Sequence, residues 1–134
     1  MNAFIVELKN TPGALADVTE AIAHKGINIT GFTGAAAGAS GSVTLITNDE
    51  AGTRRALADA GFKAREVELV AAVVADKVGS LAETARRLAD AGVNIEAAMP
   101  IGMSDRGVHV AFATDDPAKA RIALGEQALA GSVA

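Results

Sequence analysis

Two short runs of small and polar residues each follow an alternating apolar stretch and precede a predicted helix. The runs are Asn10-Thr11-Pro12-Gly13-Ala14-Leu15 and Asp76-Lys77-Val78-Gly79-Ser80-Leu81. The first turn of a helix has backbone N–H groups without intrahelical partners, and a glycine there lets a carboxylate approach them closely. Three residues before the glycine, Asn10 or Asp76 can accept hydrogen bonds from an ammonium group. Each corner therefore offers both halves of a site for a zwitterionic amino acid, although ordinary helix capping would explain Asn10 and Gly13 equally well.

Other kinds of chemistry find little support in the residue types. The sequence has no cysteine, which excludes thiolate catalysis, thiolate metal sites and disulfides. The only histidines, His24 and His109, stand apart, and we interpret both as structural or surface residues. The acidic pairs Asp49-Glu50 and Asp115-Asp116 fall where helices are predicted to begin, which is typical of helix caps. Neither a serine-nucleophile elbow nor a phosphate-binding glycine loop occurs. We expect no catalytic residue, no metal, no cofactor and no enzyme activity.

The chain repeats itself at an offset of 66 residues, which becomes 67 after one inserted residue. The matched pairs include Gly13 and Gly79, Gly26 and Gly92, Asn28 and Asn94, and, beyond the insertion, Thr47 and Thr114. Two copies of about 67 residues account for the whole sequence. We therefore predict two domains, residues 1–67 and residues 68–134.

The hydrophobic pattern of each copy predicts the same order of elements. In the first copy the strands are expected at residues 3–9, 27–30, 43–47 and 63–68, the helices at 13–25 and 50–61, and a hairpin connection at 34–41. The second copy repeats this order, with a weakly marked last strand over residues 128–134. The order β-α-β-β-α-β predicts an α+β fold of two ferredoxin-like units, each with its helices on one face of an antiparallel sheet.

The run at residues 8–15, followed by Gly26-Ile27-Asn28-Ile29, resembles the signature of the ACT domain, the small amino-acid-sensing module of biosynthetic enzymes. The resemblance implies tandem ACT domains paired into one antiparallel sheet, with an amino acid bound at the seam between them. It gives Asn10 and the Asn28 of the neighbouring unit the role of holding the ligand. The second copy has Asp76 for the asparagine and Val78 for the proline, so the two sites need not be equivalent.

The ligand-binding residues implied by the resemblance are Asn10, Gly13, Ala14, Leu15, Asn28 and Ile29 in the first copy, and Asp76, Gly79, Ser80, Leu81, Asn94 and Ile95 in the second. Among them Ala14, Ile29, Ser80 and Ile95 are the candidates for receiving the ligand side chain, which suggests a small or aliphatic amino acid. The expected function is that of an amino acid sensor that acts allosterically on a partner such as a biosynthetic enzyme or a regulator. The alternative is an oligomerisation or interaction module without a functional ligand site.

Composition and charge narrow the expected partners further. The net charge is −4 and both halves carry similar numbers of charges, so no basic face is indicated and nucleic acid is not an expected partner. The longest apolar run, residues 69–75, is far shorter than the roughly 20 residues of a membrane helix. No basic segment precedes the first apolar stretch, so no signal peptide is indicated and a cytoplasmic location is expected. Open sheet edges favour a homodimer.

Overall fold

The computed structural model describes residues 1–129, which form six strands and four helices. The strands are β1 (Asn2–Lys9), β2 (Ile29–Ala37), β3 (Ser40–Thr47), β4 (Ala64–Val74), β5 (Ile95–Ser104) and β6 (Gly107–Thr114). The helices are α1 (Ala14–Ala23), α2 (Glu50–Asp59), α3 (Ser80–Asp90) and α4 (Pro117–Leu124), with a single 3₁₀ turn at Gly125–Gln127. Neighbouring strands are antiparallel, which confirms the predicted α+β class. In this part of the chain no helix is both long and apolar enough to cross a membrane.

The chain divides into two compact units, one of residues 2–67 and one that begins at Glu68 and includes Met1. The strands of the first unit lie in the order β2-β3-β1-β4, and those of the second in the order β4-β6-β5. β4 is one continuous strand that both units share. Its first residues complete the sheet of the first unit, and its last seven residues belong to the second unit. The element order within the first unit is the predicted β-α-β-β-α-β.

The core of the first unit consists of aliphatic side chains around a single buried phenylalanine. Phe4 and Val6 of β1 alternate with Ile5 and Glu7, so one face of the strand points into the core. Val18 and Ile22, four residues apart on α1, form the helix stripe that packs against this face. Burying one such side chain stabilises the folded state by about 1.5–3 kcal/mol. Aliphatic side chains therefore suffice to form a core in a chain with 3% aromatic residues.

The second unit has an equivalent core. Val70 of β4 and Phe112 of β6 lie next to each other in the ladder, and both are buried against Leu88 of α3 and Leu124 of α4. Phe112 therefore has the anchoring position that Phe4 has in the first unit, although it stands on a different strand.

The prediction of a connection over residues 34–41 was wrong, because most of these residues are in strands. β2 extends to Ala37 and β3 begins at Ser40, so the turn consists of Gly38 and Ala39 alone. Gly38 has φ 64°, a left-handed conformation that suits a two-residue hairpin. The segment is rich in glycine and alanine because the two strands approach closely: a Cβ on Gly41 would lie 2.7 Å from the carbonyl oxygen of Ala35. A glycine-rich composition is thus compatible with a paired strand when the partner backbone takes the space.

Two further predictions of strand ends are also corrected or limited by the structure. β5 runs from Ile95 to Ser104, so the strand equivalent to the one predicted at residues 27–30 is long in the second unit as well. The last predicted strand, residues 128–134, lies mostly outside the described residues. Within them, Ala128 forms an isolated antiparallel bridge with Ala72, and the Leu129 N–H donates to the carbonyl of Ala71 at 2.8 Å.

The two units differ in the hydrogen bonding of the threonine that ends β3 or β6. In the first unit the hydroxyls of Thr47 and Thr53 lie 2.7 Å apart, and Thr53 also donates to the Asp49 carbonyl. The residues at the same places in the second copy are Thr114 and Ala120. The Thr114 hydroxyl is buried and has no partner among residues 1–129. A buried hydroxyl without a hydrogen bond lowers stability, so Thr114 is a weak point that Thr47 is not.

We predict opposite effects for the same substitution at these two sites. Thr47→Val should lower the free energy of unfolding by about 1 kcal/mol, because it breaks the hydroxyl pair. Thr114→Val should leave it unchanged or raise it, because no hydrogen bond is lost. Urea unfolding followed by circular dichroism measures both. Equal destabilisation by the two variants would show that the Thr114 hydroxyl is satisfied in solution.

Candidate functional site

The corner between β1 and α1 leaves two backbone donors open. Gly13 stands immediately before α1 with φ 87°, a conformation that glycine adopts without strain. The Ala14 N–H donates to the Thr11 carbonyl at 3.3 Å, closing a turn. No acceptor within residues 1–129 takes the N–H of Leu15 or of Ala16, and no side chain caps the helix. The helix therefore begins with free donors and the positive end of its dipole.

The other helix of this unit shows that such an open end is not inevitable. At α2, the Asp49 carboxylate accepts a hydrogen bond from the Gly52 N–H at 2.9 Å. At α4 of the second unit, Asp116 accepts from the Lys119 N–H at 3.0 Å. The predicted caps Asp49 and Asp116 are thus confirmed, and α1 lacks what α2 and α4 have.

The prediction that Glu50 and Asp115 are caps as well was wrong in part. Glu50 lies in the first turn of α2, but its carboxylate accepts from the backbone N–H of Asn2 at 3.0 Å. Asp115 accepts from the backbone N–H of Asn94 at 2.9 Å. Both carboxylates therefore bind backbone groups outside their helix, and at α2 and α4 only the directly preceding residue, Asp49 or Asp116, is the cap.

Asn10 ties the corner to the β2–β3 hairpin. Its Nδ2 donates to the Gly38 carbonyl at 2.9 Å, and its backbone N–H donates to the Ala39 carbonyl at 3.0 Å. Its Oδ1 accepts no hydrogen bond from the described residues. Asn10 therefore does not cap α1, as simple capping would require; it holds the hairpin with its amide nitrogen and leaves the oxygen as an acceptor beside the open helix end.

A cleft of about 290 Å³ lies at this corner, wholly within the first unit. The corner contributes Asn10, Thr11, Ala14 and Leu15, and the sheet contributes, among others, Leu8, Phe32, Gly34, Ala36, Gly41 and Val43. Its volume is at the small end of the range for ligand pockets, about 300–1,000 Å³. Phe32 and Leu15 are 65% and 49% exposed, which is unusual for large apolar side chains. The cleft thus combines an apolar lining with the polar groups of the corner.

The structure brings only some of the predicted site residues of the first copy to this cleft. Gly13 lies at the corner, and Asn10, Ala14 and Leu15 line the cleft. Asn28 precedes β2 at the other end of α1, a helix about 15 Å long. Its backbone is tied to Asn48 by a pair of hydrogen bonds of 3.0 and 3.1 Å. Within one unit Asn10 and Asn28 therefore do not share a site, and the predicted role of Asn28 toward a neighbouring unit stays a prediction.

Ile29 and Ile95 pack against the cores of their units, Ile29 in the first and Ile95 in the second. Ile29 also lines a separate surface pocket with Asn28. The predicted role of Ile29 and Ile95 toward a ligand stays a prediction. The sequence instead missed Phe32, Gly34 and Val43. Phe32 and Gly34 could not be found because residues 34–41 were taken as a loop, so β2 was too short in the prediction. Val43 stood in a predicted strand, but its place beside the cleft depends on its pairing with Gly34.

The corresponding corner of the second unit has the same backbone. Gly79 has φ 86°, the Ser80 N–H donates to the Lys77 carbonyl at 3.3 Å, and no side chain caps α3. Leu81 is 59% exposed, and Asp76 is exposed. Asn94 is at the far end of α3, as Asn28 is at the far end of α1. The repeat therefore preserves the corner itself, including the predicted residues Gly79, Ser80 and Leu81.

Titratable groups elsewhere in the first unit form structural contacts. Arg54 donates to both oxygens of Glu66, at 2.7 and 3.0 Å, and Asn2 donates to Glu66 at 2.6 Å. These hydrogen bonds, that from Arg54 foremost, hold the pKa of Glu66 below its usual value. A carboxylate kept ionised in this way is poorly suited to acid–base catalysis near neutral pH. Within residues 1–129 no group of three histidines, aspartates or glutamates is placed to hold a metal ion.

Comparison with known proteins agrees with this architecture. Residues 3–61 match the model of the ACT domain family. No curated protein matches the sequence significantly. Among solved structures, protein BT0572 from Bacteroides thetaiotaomicron superposes with a TM-score of 0.75 at 24% identity, covering 96% of this chain and 90% of that one. The regulatory subunit of aspartate kinase from Thermus flavus superposes with a TM-score of 0.64 at 19% identity, covering 94% and 92%.

The first unit thus combines a small α+β fold with a strand–helix corner that borders a cleft. Residues 3–61 are similar to the ACT domain, as the signature at residues 8–15 and 26–29 predicted.

The double role of Asn10 leads to a prediction that does not depend on a ligand. Asn10→Ala should loosen the β2–β3 hairpin, because it removes the hydrogen bond to Gly38 while the backbone bond to Ala39 remains. Amide hydrogen exchange of residues 36–41 should accelerate severalfold, and the free energy of unfolding should fall by about 1 kcal/mol. Asn48→Ala is the control, since it removes a side-chain acceptor at the other end of β3. Unchanged exchange in the hairpin of Asn10→Ala would contradict the tether.

Proposed function

We propose that this protein is an amino-acid-binding regulatory protein without catalytic activity, and that the amino acid binds in the cleft beside the β1–α1 corner. The observation that carries the proposal is the open first turn of α1. Two backbone donors, on Leu15 and Ala16, have no acceptor among the described residues, and Leu15 lines the cleft. A ligand carboxylate satisfies such donors and interacts favourably with the helix dipole.

The ammonium group of the ligand needs an acceptor close to the carboxylate site. Asn10 lines the same cleft and its Oδ1 is not used by the described residues. Its amide nitrogen is held by Gly38, so the oxygen is oriented before a ligand arrives. A preoriented acceptor loses little entropy on binding, which favours affinity. The corner therefore supports recognition of the two charged groups that all amino acids share.

The rest of the lining supports a small or aliphatic ligand side chain. Leu8, Leu15, Phe32 and Val43 provide an apolar surface that excludes water from a hydrocarbon side chain. A positively charged ligand side chain would lose hydration without finding an opposite charge, because no acidic residue lines the cleft. Lys9 also lines the cleft and would attract only a negatively charged group.

Regulation of a partner protein would follow from the arrangement that ligand binding favours in the first unit. Binding that orders the hairpin and the corner together favours one arrangement of the protein surface over others. A biosynthetic enzyme or a regulator that recognises this arrangement would sense the level of the amino acid. A site at the seam between the units, with Asn28, Asn94 and the second corner contributing, is the alternative location for the ligand and stays a prediction. The homodimer and the cytoplasmic location stay part of this proposal.

A second function is supported by the exposure of Phe32 and Leu15. Large apolar side chains at a surface cleft are also typical of an interface with another protein. In that case the protein would be an oligomerisation or interaction module, and the cleft would receive a side chain of the partner. The two functions differ in whether free amino acids bind.

A thermal-shift screen with the twenty amino acids at millimolar concentration tests the proposal. We expect a rise in Tm with one or a few small or aliphatic amino acids, since a ligand at ten times its Kd adds about 1.4 kcal/mol to the stability of the folded state. The N-acetyl and amide derivatives of the same amino acid are matched controls. Each keeps the side chain but removes one charge, so neither should raise Tm.

The outcomes separate the two functions. If the derivatives raise Tm as much as the free amino acid, the cleft recognises the side chain only, and the role of Asn10 and the open helix end is wrong. If none of the twenty raises Tm, the sensor proposal fails and the interaction module is favoured.

A further inference from the structure

The two strand–helix corners share a backbone conformation, but the residues that stand beside them differ in size. In the first unit Leu8, Gly41 and Ala36 lie side by side across β1, β3 and β2. This row of residues adjoins the corner and lines the cleft. Gly41 has no side chain and Ala36 has a single methyl group, so few side-chain atoms project from the sheet into the cleft at this place.

The same row of the second unit contains larger side chains. Val74, Val108 and Met103 lie side by side across β4, β6 and β5. Paired residues in antiparallel strands point to the same face of a sheet, so Val108 and Met103 stand where Gly41 and Ala36 stand in the first unit. Met103 is 69% exposed, which places its side chain at the surface of the sheet and not in the core.

The next row shows the same change. In the first unit Gly34 pairs with Val43, and in the second Pro100 pairs with Val110. One row further from the corner, Phe32 pairs with Leu45, whereas Ala98 pairs with Phe112. Phe32 forms a wall of the first cleft, and Ala98 is too small to form an equivalent wall. At the second corner, larger side chains thus project from the sheet, and no large side chain stands at the position of Phe32.

The polar groups of the corners differ as well. Asn10 donates to the Gly38 carbonyl and so fixes the hairpin against the corner. The equivalent residue of the second unit is Asp76, whose ionised carboxylate has no hydrogen to donate to a carbonyl. The hairpin of the second unit is instead stabilised by its own residues, with Ser104 bonded to the ring of His109 at 3.0 Å and to the Arg106 N–H at 3.2 Å.

We propose that the chain binds one amino acid, in the cleft of the first unit alone, and that Gly34, Ala36 and Gly41 are the residues that make this possible. Their equivalents Pro100, Met103 and Val108 close the second corner to a ligand. This inference rests on the proposed function and adds its stoichiometry and the residues that determine it.

Isothermal titration of the intact protein tests the inference, with the amino acid that gives the largest rise in Tm among the twenty as the probe. We expect one molecule bound per chain. Ala36→Met places the second unit's residue in the first cleft and should weaken binding about tenfold or more, because it overfills the space for the ligand. Ala37→Met is the matched control, since Ala37 is the next residue of β2, points to the other face and does not line the cleft. Its affinity should equal that of the unchanged protein.

A second variant tests the inference in case Ala36→Met does not fold. A Cβ on Gly34 would lie 3.4 Å from the Ser42 carbonyl oxygen, an ordinary contact, so Gly34→Ala fits the backbone while reducing the cleft. The Tm of each variant without ligand shows whether it folds. If Ala36→Met does not fold, weaker binding by Gly34→Ala decides the question.

Each result has a definite meaning. One molecule per chain, with weaker binding by Ala36→Met or Gly34→Ala and unchanged binding by Ala37→Met, supports the inference. Two molecules per chain overturn it while leaving the proposed function intact, and so does one molecule per chain whose binding the cleft variants leave unchanged. If no amino acid raises Tm in the screen, the proposed function fails and the inference fails with it.

Discussion

The corner between the first strand and the first helix of each unit depends on one backbone conformation. Gly13 and Gly79 have φ values of 87° and 86°, in the left-handed region where a side chain costs about 1 kcal/mol or more. Space is not the reason for glycine, since a Cβ at either position would meet nothing within 4 Å. The conformation turns the chain from the sheet into the helix within four residues in the first unit and five in the second. It also starts the helix without a side chain that could cap it, so the first-turn donors of α1 and α3 stay open.

An open helix end becomes a specific site only through its surroundings. In the first unit the neighbouring hairpin consists of small residues, which lets the strands approach closely and leaves room above the sheet. Asn10 connects this hairpin to the corner through Gly38, so the polar groups and the apolar lining are held in one arrangement. The same backbone in the second unit stands beside Val108 and Met103. Two copies of one fold thus differ at the place where the fold could bind a ligand.

The cores and the sites are subject to different constraints. The core of each unit needs apolar side chains at the right spacing, and Phe4 and Phe112 show that the same need can be met from different strands. The buried pair of Thr47 and Thr53 has lost one hydroxyl in the second unit, where Ala120 leaves Thr114 without a partner in the described part of the chain. Such differences keep the fold, because a loss of about 1 kcal/mol is smaller than the roughly 5–15 kcal/mol by which a folded domain is stable.

Local sequence signals were sufficient to predict the element order of the first unit, the class of fold and both corners. Alternation in β1, the apolar stripe of α1 and the glycines that follow strands and helices are local signals, and they act within a few residues. They located Gly13 and Gly79, the caps Asp49 and Asp116, and the signature by which the ACT domain was recognised.

Contacts between distant parts of the chain determine the features that local sequence signals do not predict. The glycine and alanine run at 34–41 has a weak strand propensity, and most of it is extended because residues 34–37 of β2 pair with β3 across the turn at Gly38 and Ala39. This pairing carries Phe32, Gly34 and Ala36 to the corner, and so it creates the cleft. It also shows that Asn10 and Asn28 stand at opposite ends of α1, a separation that their spacing of 18 residues does not reveal. Sites depend on which distant residues become neighbours, and that is a property of strand register and packing.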